Sequence, residues 1–275
     1  MPETPSLSAT SDPAMTALFA TGEVRPHLLA LHAWHEEIAG LPLRISEPAI
    51  GAMRMEWHRE AIRDAFGPTP TVRRNPLIES IARLQVLPGA PTAETLIGVI
   101  DGYGVDFEGA DWLDSPALLA RVDQTYGVIL QAACRLMNPK FSPMDGFASL
   151  GRAWGLSEIV RAFSVRASKG LPVIPNDHLD ATGMTRARLA SGREPDLAAL
   201  ALGNLIDLAQ VEYNGARVAA RAMPAQLFPA IGQIALVGGY LKRARAVKDP
   251  YRSPVRRSQF SRQLVLLKAS LTGRI

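Results

Sequence analysis

Residues 155–175 read GLSEIVRAFSVRASKGLPVIP, and the reading of this stretch decides the fold. Residues 155–168 have the spacing of a helix, a basic turn follows, and a short apolar run closes between prolines at 172 and 175. On its own the stretch reads either as a plain helix with a turn or as the altered remnant of a ligand-binding helix. The rest of the chain decides between them.

A chain of 275 residues, 47% hydrophobic and 20% charged, is long enough for a sizeable core and ordinary for a folded globular protein. Cys134 is the sole cysteine, so no intramolecular disulfide forms, which suits a reducing compartment. The start, MPETPSLSATSDPAM, is polar and proline-bearing and reads as a disordered tail over 1–13, ahead of one domain over 14–275. Glu3, Asp12 and Glu23 precede the first basic residue, Arg25, a pattern unlike a secretory signal or a mitochondrial presequence. The expected location is therefore cytoplasmic, peripheral on the inner membrane if the charge distribution acts as follows. Residues 240–275 hold ten Lys/Arg against one acid, a net +9; the whole chain is +4, so residues 1–239 carry −5. A cationic cluster of this kind suits an anionic membrane surface or an acidic partner, and no aromatic-rich RNA signature accompanies it. The 19 uncharged residues 223–241, MPAQLFPAIGQIALVGGYL, contain two prolines and three glycines and read as a buried helix rather than a membrane span.

Apolar spacing is helical almost throughout, and no long period-two run interrupts it. Helices are expected near 25–41, from Pro48 with Ser46 as N-cap, after Asn75-Pro76, over 91–105, after Ser115-Pro116, from Ser142-Pro143 through about 168, from Pro195, within 223–241 and near 255–271. This describes an all-α fold.

Several chemistries lack their motifs. There is no G-x-x-x-x-G-K-[ST] loop and no G-x-S-x-G elbow, and Cys134 sits mid-helix with no evident base. His32, His35 and Glu36 share one helical face and His58 lies in the next helix, but the spacing is unspecific for metal.

With these residues in view, the chain resembles the squalene/phytoene synthase family from about residue 25 to 275. LLALHAWHEEIAGL resembles that family's first acidic-motif helix. AETLIGVIDGYGVDFEG resembles its Met-x-x-Asp-type segment, with Asp106 at the acid, and VDQTYGVILQAACRLM its glycine-containing middle helix, with Gly127 at the first glycine. The opening stretch resembles the second acidic signature, with Leu156, Arg161, Gly170 and Pro175 in register. The resemblance implies a single-domain isoprenoid-synthase-type helical bundle around a central cavity. It also implies head-to-head condensation of prenyl diphosphates, with Mg²⁺ held by carboxylates on facing helices.

The departures fall on those carboxylates. By this alignment the first motif's acid positions carry Ala39, Gly40 and Leu43, and the second motif's carry Ala162 and Arg166. Gly155 and Glu158 replace its amides, and Arg121 replaces a tyrosine. Loss of metal-holding carboxylates removes Lewis acid and charge neutralisation together. Arg161, Arg166 and Lys169 are the candidates to bind an anion or diphosphate instead. Glu36, Glu37 and Glu158 are the residual acids expected to face the cavity. Ser46, Glu47, Pro48, Arg54, Trp57, Arg59 and Glu60 further resemble a non-catalytic branch of the family, which includes a mitochondrial complex I assembly factor and bacterial relatives. Two functions are thereby expected. The first is a non-catalytic protein in respiratory complex assembly at the membrane, with respiratory complex subunits, an anionic membrane and a prenyl lipid or quinone-like molecule as partners, and no cofactor. The alternative is an active squalene- or phytoene-type prenyl transferase using Mg²⁺ through Glu36, Glu37 and Glu158. Neither involves nucleic acid.

Overall fold

The computed structural model describes residues 11–273 and 275, and among them there are fifteen α-helices and no β-strand. In order they are α1 (Asp12–Ala17), α2 (Arg25–Arg44), α3 (Pro48–Phe66), α4 (Pro76–Ala82), α5 (Ala93–Gly104), α6 (Ser115–Val122), α7 (Val128–Met137) and α8 (Phe147–Arg161). Then follow α9 (Phe163–Ser168), α10 (Asn176–Asp180), α11 (Arg186–Ser191), α12 (Pro195–Ala222), α13 (Phe228–Ile231), α14 (Ile234–Arg245) and α15 (Gln259–Thr272).

Proline in the first turn opens α3, α4, α6 and α12, where its missing N–H costs nothing. Asn75 caps α4 by accepting the Leu77 and Ile78 amides at 2.9 and 3.2 Å. Asp114 caps α6, which starts at Ser115 as expected, and one expected cap is corrected. Glu47 occupies the N-cap of α3 with no side-chain bond, while Ser46 Oγ accepts from Lys169 Nζ at 2.7 Å.

Two helices expected to be continuous are broken. The segment before residue 168 stops at Arg161 and restarts at Phe163, because Ala162 adopts φ −85°, ψ 3°. The 223–241 run divides into a 3₁₀ turn, α13 and α14, with Pro224 ahead of the turn and Pro229 in the first turn of α13. Most of its apolar residues are buried, and no helix among the described residues is long and apolar enough to cross a membrane. The expected tail over 1–13 is corrected at its inner end. Residues 1–10 lie outside the described ones, but Asp12 and Pro13 are buried members of α1, capped by Ser11.

The apolar core runs without interruption from Met15 of α1 to Leu266 of α15. Its axis is α8, packed along α12 and flanked by α14 and by the short π-helical turn Asp123–Gly127 that joins α6 to α7. Small residues let this turn approach. A Cβ on Gly102 would stand 2.6 Å from Thr125 Cγ2, and one on Gly151 would stand 2.6 Å from Gly127 Cα. At Gly155 a Cβ would meet Val122 Cγ1 at 2.5 Å and the Tyr126 ring at 2.7 Å. The π turn thus sits wedged between α5 and α8 and points Thr125 and Tyr126 at the space between the helices.

Candidate functional site

That space is a cavity of about 530 Å³ lined from α1, α2, α5, α6, the π turn, α8, α9, α14 and α15. Its size is in the range of small-molecule sites. On α2, residues 35, 36, 39, 40 and 43 recur at helical spacing, so His35, Glu36, Ala39, Gly40 and Leu43 share the face that lines it. Opposite stand Trp154, Glu158, Ile159, Arg161, Ala162 and Arg166. Arg161 and Arg166 are five residues apart and would diverge on a straight helix; the break at Ala162 turns both toward the cavity. All five positions at which the family resemblance expects metal-binding acids (39, 40, 43, 162 and 166) therefore line one cavity, and none is acidic.

Behind the Arg166 wall lies a buried charge cluster. Asp106 Oδ2 accepts from Arg166 Nη2 at 2.9 Å, and Asp106 Oδ1 lies 2.9 Å from Arg121 Nη2, an ion pair off-line for a hydrogen bond. The Asp106 side chain is fully buried and both arginines nearly so. Arg166 Nε donates to the Pro172 carbonyl at 2.6 Å, and both guanidiniums stand over the Trp112 ring, at 5.1 Å for Arg166 and 5.7 Å for Arg121. Burial lowers the Arg121 pKa against the pull of Asp106. Arg121 Nη1 is buried with no hydrogen-bond partner among the described residues. Two guanidiniums share one carboxylate here, which leaves a buried positive excess beside the cavity.

A second hub closes the other end. Asp12 accepts from Tyr240 Oη at 2.7 Å and from Arg262 Nη1 at 2.7 Å, and pairs with Arg161 Nη1 at 3.2 Å. It ties α1 to α8, α14 and α15. Arg161 also holds Glu158 Oε1 at 2.5 Å and stacks 4.2 Å from the Tyr240 ring centre. With Arg256, Arg257 and Arg262, six arginines line the cavity against Asp12, Glu36 and Glu158. Burial, reinforced by Glu158 and Asp12, pushes the Glu36 carboxyl up to about 7. Burial also raises Glu158.

The aromatic floor is neutral. His35 Nε2 lies 3.0 Å from Tyr103 Oη, and burial followed by His32 pulls its pKa down to about 3. His32 is buried against Trp154 and falls to about 4 by burial alone. These histidines are packing groups, and among the described residues no cluster of three or more His, Cys, Asp or Glu is placed to hold a metal.

The donor set does not fit the Mg²⁺ site that the fold family implies. Asp12 is saturated by three partners and Glu158 is paired with Arg161. Glu36, raised to about 7, is only about half ionised near neutral pH, and Arg166 places a cation where a ligand would be needed. Two further expectations are corrected. Glu37 does not line the cavity; one residue on from Glu36 the helix has turned about 100°, and Glu37 pairs with Arg44 at 2.7 Å on the surface. Lys169 is outside the cavity too, held at Ser46. Trp57, Arg59 and Glu60 belong to a surface network: Arg59 pairs with Asp101 at 2.6 Å, Glu60 with Arg73 at 2.9 Å, and Arg73 stacks 5.5 Å from Trp57. Missing from the sequence-level site were Asp12, assigned to the tail, and Arg256, Arg257 and Arg262, read only as part of a basic C-terminus. Arg121 was visible as a tyrosine replacement, and its joint occurrence with Arg166 was the available signal.

A helical bundle closed around one cavity, with altered acidic-motif positions facing each other across it, has the isoprenoid-synthase architecture. The structure superposes on squalene synthase HpnC from Alicyclobacillus acidocaldarius with a TM-score of 0.64, over 94% of this chain and 88% of that one, at 14% identity. It superposes on a dehydrosqualene synthase solved in complex with ligand with a TM-score of 0.70, over 95% and 90% of the two chains, at 13% identity. The profile of the squalene/phytoene synthase family matches residues 8–264, and the chain belongs to that family. Its relatives by sequence include NADH dehydrogenase (ubiquinone) complex I, assembly factor 6, of Mus musculus, 23% identical over 234 residues, covering 85% of this chain and 69% of the relative. The Homo sapiens counterpart is 21% identical over 236 residues with the same coverage.

Proposed function

We infer that this protein is a non-catalytic member of the squalene/phytoene synthase family that acts by binding, in the assembly of a respiratory complex at the membrane. The observation that carries the reading is the cavity wall. The positions expected to bind metal hold Ala39, Gly40, Leu43, Ala162 and Arg166, and an arginine set stands where a metal-bound diphosphate would be neutralised. Without the carboxylates, bound diphosphate has no ion to draw off its developing charge, while guanidiniums still suit it as a ligand. The likeness to complex I assembly factors supports the assembly role. The basic segment 240–275 supports the membrane location. The ligand fitting the cavity is an amphiphile with an anionic or polar head and a prenyl or quinone-like tail against Trp154, Tyr126 and Ile159.

The test is incubation of the purified protein with Mg²⁺ and farnesyl or geranylgeranyl diphosphate, beside an active synthase. The expected result is no released diphosphate and no C30 or C40 product. Turnover would overturn the reading and favour the prenyl transferase alternative, in which Glu36, Glu37 and Glu158 serve as substitute ligands; of these Glu36 and Glu158 line the cavity, and their replacement by alanine would then abolish product. A deletion strain with a normal level of assembled complex I would overturn the assembly role.

A further inference from the structure

The C-terminal helix turns the wrong face outward. On α15, Leu266 and Ala269 are buried and Arg262 reaches inward to Asp12. The opposite side carries Phe260, Leu264, Leu267 and Leu271, at i, i+4, i+7 and i+11, all exposed; Phe260 is 70% exposed and Leu271 78%. Leu18 and Phe19, at the end of α1, are exposed as well, and with α15 they line an apolar groove of about 270 Å³. The fold leaves this regular stripe about half exposed or more, and an apolar patch of this kind marks an interaction surface.

Its surroundings decide the occupant. Exposed Lys268 borders the stripe. Arg243, at the end of α14, donates to the Arg256 carbonyl at 3.1 Å, which places the Arg243 guanidinium beside the segment leading into α15. The stripe holds Leu and Phe without Tyr, Trp or a central polar anchor, unlike the hot spots of protein interfaces. An apolar helix face bordered by cations is the pattern of a helix lying in the plane of an anionic bilayer surface.

We propose that α15 and the end of α1 form a membrane-docking face, in which Phe260, Leu264, Leu267, Leu271, Leu18 and Phe19 enter the headgroup boundary of an anionic bilayer. This deepens the membrane part of the function proposed above and rests on it in that respect alone. The face has a consequence for the cavity. Asp12 of α1 and Arg256, Arg257 and Arg262 around the start of α15 line the cavity, so the docked surface and one cavity wall are built from the same two helices. An amphiphile drawn from the bilayer would meet that wall first.

The experiment is flotation of the full chain with vesicles of two parts phosphatidylcholine to one part phosphatidylglycerol, against phosphatidylcholine alone. Wild type is expected to float with the anionic vesicles, less so at high salt. Leu264→Glu/Leu267→Glu is expected to reduce the bound fraction about tenfold or more, since two buried leucines are lost from the contact. These positions are exposed, so the variant should keep the wild-type melting temperature. A second readout uses Leu264→Cys labelled with an environment-sensitive dye, which Cys134 escapes because it is buried. A blue shift on adding anionic vesicles is expected. Failure of wild type to float, unchanged flotation of the double variant, or no dye shift would each overturn the proposal. So would a dye shift produced by a second protein and not by vesicles. None of these results bears on prenyl diphosphate turnover or on complex I level, so the binding-protein reading stands or falls separately.

Discussion

Arg166 Nη2 donates to Asp106 Oδ2 at 2.9 Å, and the two side chains lie deep in the protein although 60 residues separate them in sequence. The family's pattern expects an acid at position 166 and an acid at 106. Two carboxylates there would need a cation between them; here the chain supplies that cation itself. Substitution of Asp106 by asparagine keeps the shape but leaves Arg121 and Arg166 buried without a counter-charge. The expected cost is about 3–5 kcal/mol, the usual penalty for breaking a buried ion pair. Urea unfolding measures it. In an Arg166→Met background the same change should cost less, because one stranded charge is already gone, and a double-mutant cycle reads the coupling.

Arginines in place of metal predict an anion site indifferent to Mg²⁺. Inorganic diphosphate at about a hundred times its Kd would stabilise the fold by about 2.7 kcal/mol, a rise in Tm of several degrees. Chelation of divalent ions should leave the shift unchanged. Arg166→Gln should abolish most of it, and Lys169→Ala should leave it intact because Lys169 is outside the cavity. A shift that requires Mg²⁺ would mean that Glu36 and Glu158 hold a metal after all. Differential scanning calorimetry or titration calorimetry distinguishes the two.

Much of this arrangement was legible in the sequence, and the illegible part has definite causes. Leu156, Arg161, Gly170 and Pro175 fall in register with a motif spaced by local helix geometry, so the stretch betrayed its fold and its altered positions. The resemblance put Ala39, Gly40 and Leu43 at the first motif's acid positions, and in the fold all three share one face of α2. Local spacing could not separate Glu36 from Glu37, because adjacent helical residues point about 100° apart and the facing helix must be known to choose between them. The five-residue π turn shifts Thr125 and Tyr126 without leaving a periodic signature. Asp12 was hidden for a different reason. Its partners Arg161, Tyr240 and Arg262 lie 149 to 250 residues away, and an acid in a polar, proline-bearing start carries no local sign of such pairing.

Gly155 illustrates why restoring a motif need not restore a site. The family's second signature expects glutamine at this position. Here Tyr126 and Val122 fill the space that its Cβ would take, at 2.7 and 2.5 Å. Gly155→Gln should therefore force α8 away from the π turn and destabilise the fold by about 1–3 kcal/mol, the range for overpacked cores. Thermal unfolding measures it, and Gly155→Ala should show a smaller part of the same loss. A variant as stable as wild type would mean that the π turn yields and that its wedged geometry is not a fixed part of the site.

The cavity also sets a pH dependence whose sign can be worked out. Glu36 titrates near 4.5 when unfolded and at about 7 in the fold, raised first by burial and then by Glu158 and Asp12. A raised folded pKa means that the native state holds the proton more tightly. Its contribution to stability is complete below about pH 4.5 and is lost as pH rises through about 7. The two pKa values imply ~3 kcal/mol lost by about pH 8, to order of magnitude. Glutamine mimics the protonated form, so Glu36→Gln should match wild type near pH 4 and exceed it by that amount near pH 8. His32 and His35 act in the opposite sense. Their folded values of about 4 and 3 lie below the usual 6.5, so they withdraw stability as pH falls below about 6.5. The two effects overlap between about pH 4.5 and 6.5, where two histidines outweigh one carboxyl, so wild type is expected to be most stable near pH 6.5, and Glu36→Gln should remove the alkaline limb while leaving the acid one. Urea midpoints for both proteins across that range decide it, and an alkaline limb that persists in Glu36→Gln would assign the proton to another group.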